Sequence, residues 1–221
     1  MQTLLIILGI IFAYLIGSFS SAVWLGRWFH NTDVREFGSK NAGTTNTVRV
    51  LGLKTGILVF VIDVLKGWLA VFAGLHLFLP KALSCGSSCV SFCALEDFFV
   101  IVLSMAVVLG HVFPLYTGFK GGKGVATTLG ALLAIFPLTV ACALLVWAII
   151  FFSTRYVSLA SICAGIVFPF FYWYLSDEKS LSVPLFIFSI IIAVFILIMH
   201  HKNINRLLHG TENRMSLKRH K

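Results

Sequence analysis

Five stretches of this chain contain no Lys, Arg, Asp or Glu: 1–26, 98–119, 124–154, 156–176 and 180–201. The shortest is 21 residues long, and about 20 apolar residues carry a helix across the hydrocarbon core of a bilayer. Charged residues make up 11% of the chain, against roughly 25% in a soluble domain. Too few polar groups remain to cover a globular surface, so disorder, collagen and a soluble coiled coil are excluded. An all-α integral membrane protein is expected, because lipid offers the backbone no partners and a helix satisfies its own. The first run has no basic residue ahead of it and is read as a retained first span rather than a cleaved leader.

Helices are expected near 3–24, 54–79, 97–117, 157–175 and 182–200. The stretch 124–154 is too long for one straight span, since 31 residues would reach about 46 Å against a core of about 30 Å. Pro137 near its middle breaks or kinks a helix. The distribution of bases decides the topology. If 124–154 crosses twice, Arg27, Arg35, Lys40, Arg49, Lys54, Lys120, Lys123, Arg155 and the six bases of the tail 201–221 share one side. Only Lys81 and Lys179 lie opposite, with Lys66 inside a span. The expectation is therefore seven transmembrane helices, amino terminus outside and carboxyl terminus cytoplasmic, with two short helices around Pro137. The chain reads as a single polytopic domain, 1–221, ending in a cytoplasmic tail.

The formal net charge of +9 would suggest nucleic acid in a soluble protein. Here no basic domain interleaved with aromatics lies outside the spans, so nucleic acid is discarded in favour of topology and anionic lipid or phosphate partners. Cys85, Cys89 and Cys93 recur every four residues in a loop, compatible with one helical face, a disulfide or a metal site.

Three polar segments fall on the expected cytoplasmic side. The first, Arg35 to Arg49, sets Gly38, Ser39, Asn41, Gly43, Thr45 and Asn46 between two arginines. Backbone N–H groups and hydroxyls near such glycines form anion-binding concavities, and Arg49 adds a fork suited to phosphate. The second places Gly121, Gly122, Lys123 and Gly124 before an apolar helix start, with Thr127 in its first turn. Glycines admit a phosphate to the backbone, and a helix amino terminus offers unpaired N–H groups and the positive dipole end. It is not a Walker A motif, because Gly124 rather than Ser or Thr follows Lys123. The third continues the last span, with His200, Asn203 and Arg206 near one helical face. Asp63 and Lys66 sit inside the second span, where charges are costly. Ser158 opens the sixth helix after Arg155. There is no Ser-His-Asp set, HExxH, HxxxxD or Cys/His metal cluster, so no metal or cofactor is expected. The chemistry would rest on positioned donors and cations.

Taken in order, these segments resemble the bacterial acyl-phosphate:glycerol-3-phosphate acyltransferases, the PlsY family. The likeness rests on Gly17-Ser18, Gly38-Ser39-x-Asn41-x-Gly43-x-Thr45-Asn46-x-x-Arg49, Asp63-x-x-Lys66-Gly67 and Gly110-His111-x-Phe113-Pro114. It continues through Lys120 to Thr127, Arg155 to Leu159, and His200-x-x-Asn203-Ile204-x-Arg206-Leu207 with Gly210-x-Glu212. The resemblance implies a seven-helix enzyme of the bacterial cytoplasmic (inner) membrane with its site on the cytoplasmic face. It implies transfer of an acyl group from acyl phosphate to the 1-hydroxyl of glycerol 3-phosphate. Carried onto this chain, Ser39, Arg49, Lys123, Ser158, His200 and Asn203 would be catalytic, while Arg206, Thr127 and the loop residues would bind substrate. The general base is left between His200 and the acceptor's own phosphate. Lys40, Ala42, Thr44, Ser20 and His201 depart from the commonest family pattern, and the loop 80–96 is not covered by the likeness. A transporter of organic phosphate is the rival reading.

Overall fold

A computed structural model describes residues 2–79, 90–176 and 181–215. Its regular structure is entirely helical: α1 (Gln2–Ser18), α2 (Ser21–His30), α3 (Thr44–Leu51), α4 (Leu53–Phe78), α5 (Val90–Val112), α6 (Val125–Ile135), α7 (Pro137–Thr154), α8 (Val157–Leu175), α9 (Val183–Met199) and α10 (His201–Leu208). A 3-10 turn at Leu115–Thr117 follows α5. Among the described residues, five stretches are long and apolar enough to cross a membrane, counting α1 and α2 together over Thr3–His30. The pair α9 and α10, bent by 60°, makes up to six. With 11 residues, α6 reaches only about 16 Å and cannot cross the core alone.

The break inside 124–154 falls where proline dictates it. Phe136 leaves the helical region at φ −129° and ψ 57°, and Pro137 restarts the chain as the first residue of α7. Proline suits that position because its missing N–H would have no helical partner there. Elsewhere the boundaries differ from the expectation. The helix expected over 3–24 is interrupted at Phe19 and Ser20, and α3 lies inside a segment read as loop. The loop Cys85 and Cys89 and the Cys93 side chain lie outside the described residues, as do Lys81, Lys179 and the last six residues.

The chain groups into two compact units, residues 1–135 and 136–221. In the first, close packing is set by glycines. A Cβ on Gly17 would lie 2.1 Å from the Val107 carbonyl oxygen, and one on Gly110 would lie 2.3 Å from that of Tyr14. This reciprocal pair joins α1 to α5. Gly67 and Gly130 join α4 to α6 in the same way, facing the Thr127 and Val64 carbonyls. Between apolar helices in lipid, such small-residue contact replaces the hydrophobic driving force available in water. In the second unit, α8 packs on α7 and α9. Phe136 meets Phe168 and Tyr172 edge-on, and Trp147 Nε1 donates to Ser161 Oγ at 3.2 Å.

Candidate active site

The first polar loop of unit 1 is built around the buried Asn46. Its Oδ1 accepts from the Ser39 N–H at 2.8 Å, and its Nδ2 donates to the carbonyls of Val34 (2.7 Å) and Phe37 (3.1 Å). All three bonds fold the loop over the start of α3. Gly38 has φ +59°, and a Cβ there would lie 2.4 Å from Asn46 Oδ1. The Ser39 and Arg49 side chains remain exposed. Arg35 ties this loop to the next. Its Nε and Nη2 grip the Asp33 carboxylate at 3.0 and 2.7 Å, while Nη1 donates to the carbonyls of Thr117 (2.7 Å) and Lys120 (3.2 Å). The hydrogen bonds of Arg35 hold the Asp33 carboxyl well below its usual range, at about 2, against the opposing effect of burial.

The glycine-rich loop runs back along the end of α5. Gly121 and Gly122 donate their N–H groups to the carbonyls of Val112 (3.1 Å) and His111 (3.2 Å). Their glycine identity is steric: a Cβ on Gly121 would stand 1.9 Å from the His111 oxygen. One on Gly122 would stand 2.2 Å from His111 Nε2 and 2.8 Å from the Ala42 oxygen. The two polar loops therefore meet at Gly122. Gly124, at φ +79°, turns the chain into α6, whose first i→i−4 bond runs from Thr128 N–H to the Gly124 oxygen at 2.7 Å. The N–H groups of the first turn precede that bond and face outward from the helix end. In the same turn the Thr127 hydroxyl is buried without a hydrogen-bond partner, as is that of Thr44 at the start of α3.

Beneath the loops lies a cluster of polar side chains inside the helices. Lys66 Nζ donates to the Phe19 oxygen at 2.7 Å, pairs with Asp63 Oδ1 at 2.8 Å and stands 2.9 Å from His111 Nδ1. Ser21 Oγ donates to the same Asp63 oxygen at 2.8 Å.

Unit 2 carries its own polar assembly, organised by Glu212, to which the sequence alone assigns no role. The buried Glu212 accepts from Ser158 Oγ (2.8 Å), Asn203 Nδ2 (2.7 Å) and Arg206 Nε (2.6 Å). Burial pushes its carboxyl up, but the bonds from Asn203, Arg206 and Ser158 outweigh it and hold the group below its usual range. The strap carrying Glu212 is anchored by Met215 N–H to the Arg155 oxygen at 2.9 Å and by Arg214 over the Tyr156 ring. One turn before Asn203, His200 is buried with Nδ1 2.8 Å from the Ile196 carbonyl. A carbonyl only accepts, so Nδ1 carries the hydrogen and the lone pair of the neutral ring is on Nε2. Ser158, Asn203 and Arg206 are thus brought to one carboxylate, and His200 stands beside them in the chain. The only available signal for Glu212 was its place two residues after Gly210, because a single acidic residue in a basic tail has no pattern of its own. Among the described residues, no three His, Cys, Asp or Glu side chains are grouped to hold a metal ion.

Apolar helices of spanning length, with polar groups confined to their ends and to buried clusters, define an integral membrane protein. The model of the glycerol-3-phosphate acyltransferase family matches residues 7–210, and the chain belongs to that family. It is 39% identical to a glycerol-3-phosphate acyltransferase of Fusobacterium nucleatum, covering 93% of this chain and 95% of the relative. It is 40% identical to one of Chlorobaculum tepidum, covering 95% and 96%. The fold is similar to crystal structures of PlsY (YgiH), described as an integral membrane glycerol 3-phosphate acyltransferase. The glycerol 3-phosphate form gives a TM-score of 0.80 at 36% identity over 96% of both chains. The lysophosphatidic acid form gives 0.77 at 35% identity over 96% and 95%.

Proposed function

We propose that the protein transfers a fatty acyl group from acyl phosphate to the 1-hydroxyl of sn-glycerol 3-phosphate, giving 1-acylglycerol 3-phosphate (lysophosphatidic acid) and phosphate, in the first acylation of phospholipid synthesis. The observation that carries this reading is the likeness, over 96% of the chain, to a membrane enzyme solved in a glycerol 3-phosphate form. The presence of a lysophosphatidic acid form of that relative supports the product. In this reading the chain crosses the bacterial inner membrane seven times, the 11-residue α6 crossing only together with the loop ahead of it, and works at the cytoplasmic face, supported by the one-sided distribution of its bases.

The donor is already activated, so the reaction proceeds by direct attack without an enzyme nucleophile. The acceptor oxygen forms a bond to the acyl carbon, the bond from that carbon to the phosphate oxygen breaks, and phosphate leaves with the electron pair. Lys123 and Arg49 neutralise phosphate charge. The N–H groups of Gly121 and Gly122 are bonded to α5, so the backbone share of phosphate binding falls to Gly124 and the first turn of α6, with the Thr127 hydroxyl beside it. Ser39 stabilises the carbonyl oxyanion, and Ser158 serves the same reaction only on releasing Glu212, which holds its one hydroxyl hydrogen at 2.8 Å. His200 takes the hydroxyl proton on Nε2, a role its tautomer supports over the acceptor's own phosphate. Asn203 serves the same reaction from the next helical turn.

Purified protein incubated with acyl phosphate and labelled glycerol 3-phosphate should yield labelled 1-acylglycerol 3-phosphate. Acyl-CoA alone should support no transfer; equal rates with both donors would reject the donor assignment. Thr211→Cys in a cysteine-free background should stay unlabelled by an impermeant thiol reagent in intact cells, and labelling there would overturn the orientation.

A further inference from the structure

Asp63, Lys66 and His111 are 1%, 6% and 4% exposed, and nothing in the reaction above uses them. Ionised side chains inside a membrane helix are costly and stand out as functional candidates. The geometry fixes their protonation pattern. Asp63 needs a countercharge, and Lys66 Nζ, 2.8 Å away, supplies it. The ammonium has three hydrogens and three acceptors: Asp63 Oδ1, the Phe19 carbonyl at 2.7 Å and His111 Nδ1 at 2.9 Å. The imidazole lies nearer to Lys66 than to Asp63, which is 3.6 Å from Nδ1. Nδ1 is therefore an acceptor, and the ring hydrogen is on Nε2.

That N–H points at the junction of the two loops. Gly122 is the residue against Nε2, and any Cβ there would collide with it. Among the described residues Nε2 has no hydrogen-bond partner. His111 keeps 4% of its surface and Nε2 is not one of the wholly enclosed unpartnered atoms, so this donor is open to a ligand, and the loop carrying Gly122 is the one assigned to phosphate. We propose that His111 is a further substrate-binding residue, whose Nε2–H donates to a phosphoryl oxygen at the Ala42–Gly122 junction. Lys66, charge-balanced by Asp63, is the positioning residue that fixes the ring tautomer. The inference rests on the reading of the glycine loop as a phosphate site, and the phosphoryl group belongs to glycerol 3-phosphate or to acyl phosphate.

The test is steady-state kinetics in which each substrate is varied in turn. In folded His111→Leu, KM for one substrate should rise roughly ten- to a hundredfold, the worth of a hydrogen bond to a charged group; the substrate affected identifies the source of the phosphoryl group. His111→Gln, whose amide reaches the place of Nε2, should retain most of the affinity. Lys66→Met should resemble His111→Leu, and the double variant should be no worse than His111→Leu alone. Unchanged KM for both substrates in folded His111→Leu, or equal damage from Gln and Leu, overturns the proposal. If the variants do not fold, 15N spectra of histidine-labelled wild-type protein decide. They should show Nε2 protonated and Nδ1 not, with the Nε2 resonance moving on addition of glycerol 3-phosphate or a short acyl phosphate; no movement with either overturns it. Loss of substrate affinity in Lys123→Ala without any in His111→Leu sinks this inference alone. Absence of acyl transfer by the wild type sinks the function on which it rests.

Discussion

The two units hold their polar residues by different means. In unit 1 the loops are held by many bonds of which most involve the backbone: Asn46 makes three bonds to main-chain groups, Arg35 makes two to carbonyls, and Gly121 and Gly122 pair with the end of α5. In unit 2 a single carboxylate, Glu212, gathers three side chains. A loop pinned at several points, by Asn46, Arg35 and its own backbone, survives the loss of a side chain that is none of those pins. A carboxylate hub has no such reserve, because removing it leaves several buried donors unpartnered together. Unit 1 should therefore separate function from stability on mutation, whereas in unit 2 the two should fall together.

The sharpest separation is expected at Lys123. Gly121 and Gly122 hold the loop backbone on α5 through their own N–H groups, so Lys123→Ala should lower the melting temperature less than loss of the Glu212 carboxylate does. If the ammonium stabilises charge in the transition state, turnover should drop roughly 100- to 1000-fold, or about 2.7–4 kcal/mol. Lys123→Arg should recover little, since the planar fork is bulkier than a point charge set between glycines. Near-normal turnover in folded Lys123→Ala would make this loop a linker.

Glu212→Gln tests the other half of the comparison. The substitution keeps the shape but replaces an ionised acceptor with a neutral amide, and one of its ends now carries hydrogens facing donors. A hydrogen bond to a charged group is worth about 1.5–3 kcal/mol, so activity should fall roughly tenfold to a hundredfold. The melting temperature should fall with it, and further than in Lys123→Ala. Loss of activity without loss of stability would show that unit 2 is scaffolded by its backbone after all.

Acid should read the two carboxylates directly. The folded Asp33 carboxyl titrates at about 2, below the unfolded value of about 3.9. Its ionised form is the one folding favours, so its stabilisation is complete above about pH 4 and fades as the pH falls towards 2. Glu212 is lowered in the same direction and follows the same sign. Asp33→Asn should thus be less stable than wild type at neutral pH, with the gap closing below about pH 4. Thermal melts across that range measure it; a gap independent of pH would show that the Asp33–Arg35 grip contributes little.

What the sequence made legible follows the same division. Charge-free runs and Pro137 located the membrane helices and the break between α6 and α7, because lipid and proline each act on local composition. The polar loops stood out because glycine, serine and asparagine have no reason to crowd at a membrane face otherwise. The interruption at Phe19 and Ser20 was hidden, since no proline or charge marks it, and glycine and serine, here Gly17, Ser18, Ser20 and Ser21, are common inside membrane helices. The helix α3 was hidden by the same polar residues that made its loop conspicuous. Neither the Glu212 hub nor the bond of Lys66 to His111 has a periodic signature: Ser158 lies 54 residues from Glu212 and Lys66 lies 45 from His111, and only tertiary packing brings them together. The engagement of the Gly121 and Gly122 N–H groups by α5 was likewise beyond the sequence, where glycine reads as freedom rather than as close packing.

The smallest expected effect concerns the strain that the unit 1 scaffold tolerates. Lys40 adopts φ +58°, a left-handed conformation that costs a residue with a Cβ about 1–2 kcal/mol. It follows Ser39, whose N–H is fixed on Asn46, so the turn is imposed on Lys40 rather than chosen by it. The Lys40 N–H bonds to the Phe37 oxygen at 3.0 Å, and that bond needs no side chain. Lys40→Gly should remove the steric cost, while the freer unfolded chain offsets about 0.4–1 kcal/mol of the gain. The net should be a stabilisation of about 0.5–1 kcal/mol, or a few degrees in melting temperature. Lys40→Ala, which keeps the Cβ, should show none of it and isolates the backbone effect from the loss of the exposed charge. If Lys40→Ala stabilises as much as Lys40→Gly, the gain comes from removing a like charge among the bases of this loop, and the backbone there is under no strain.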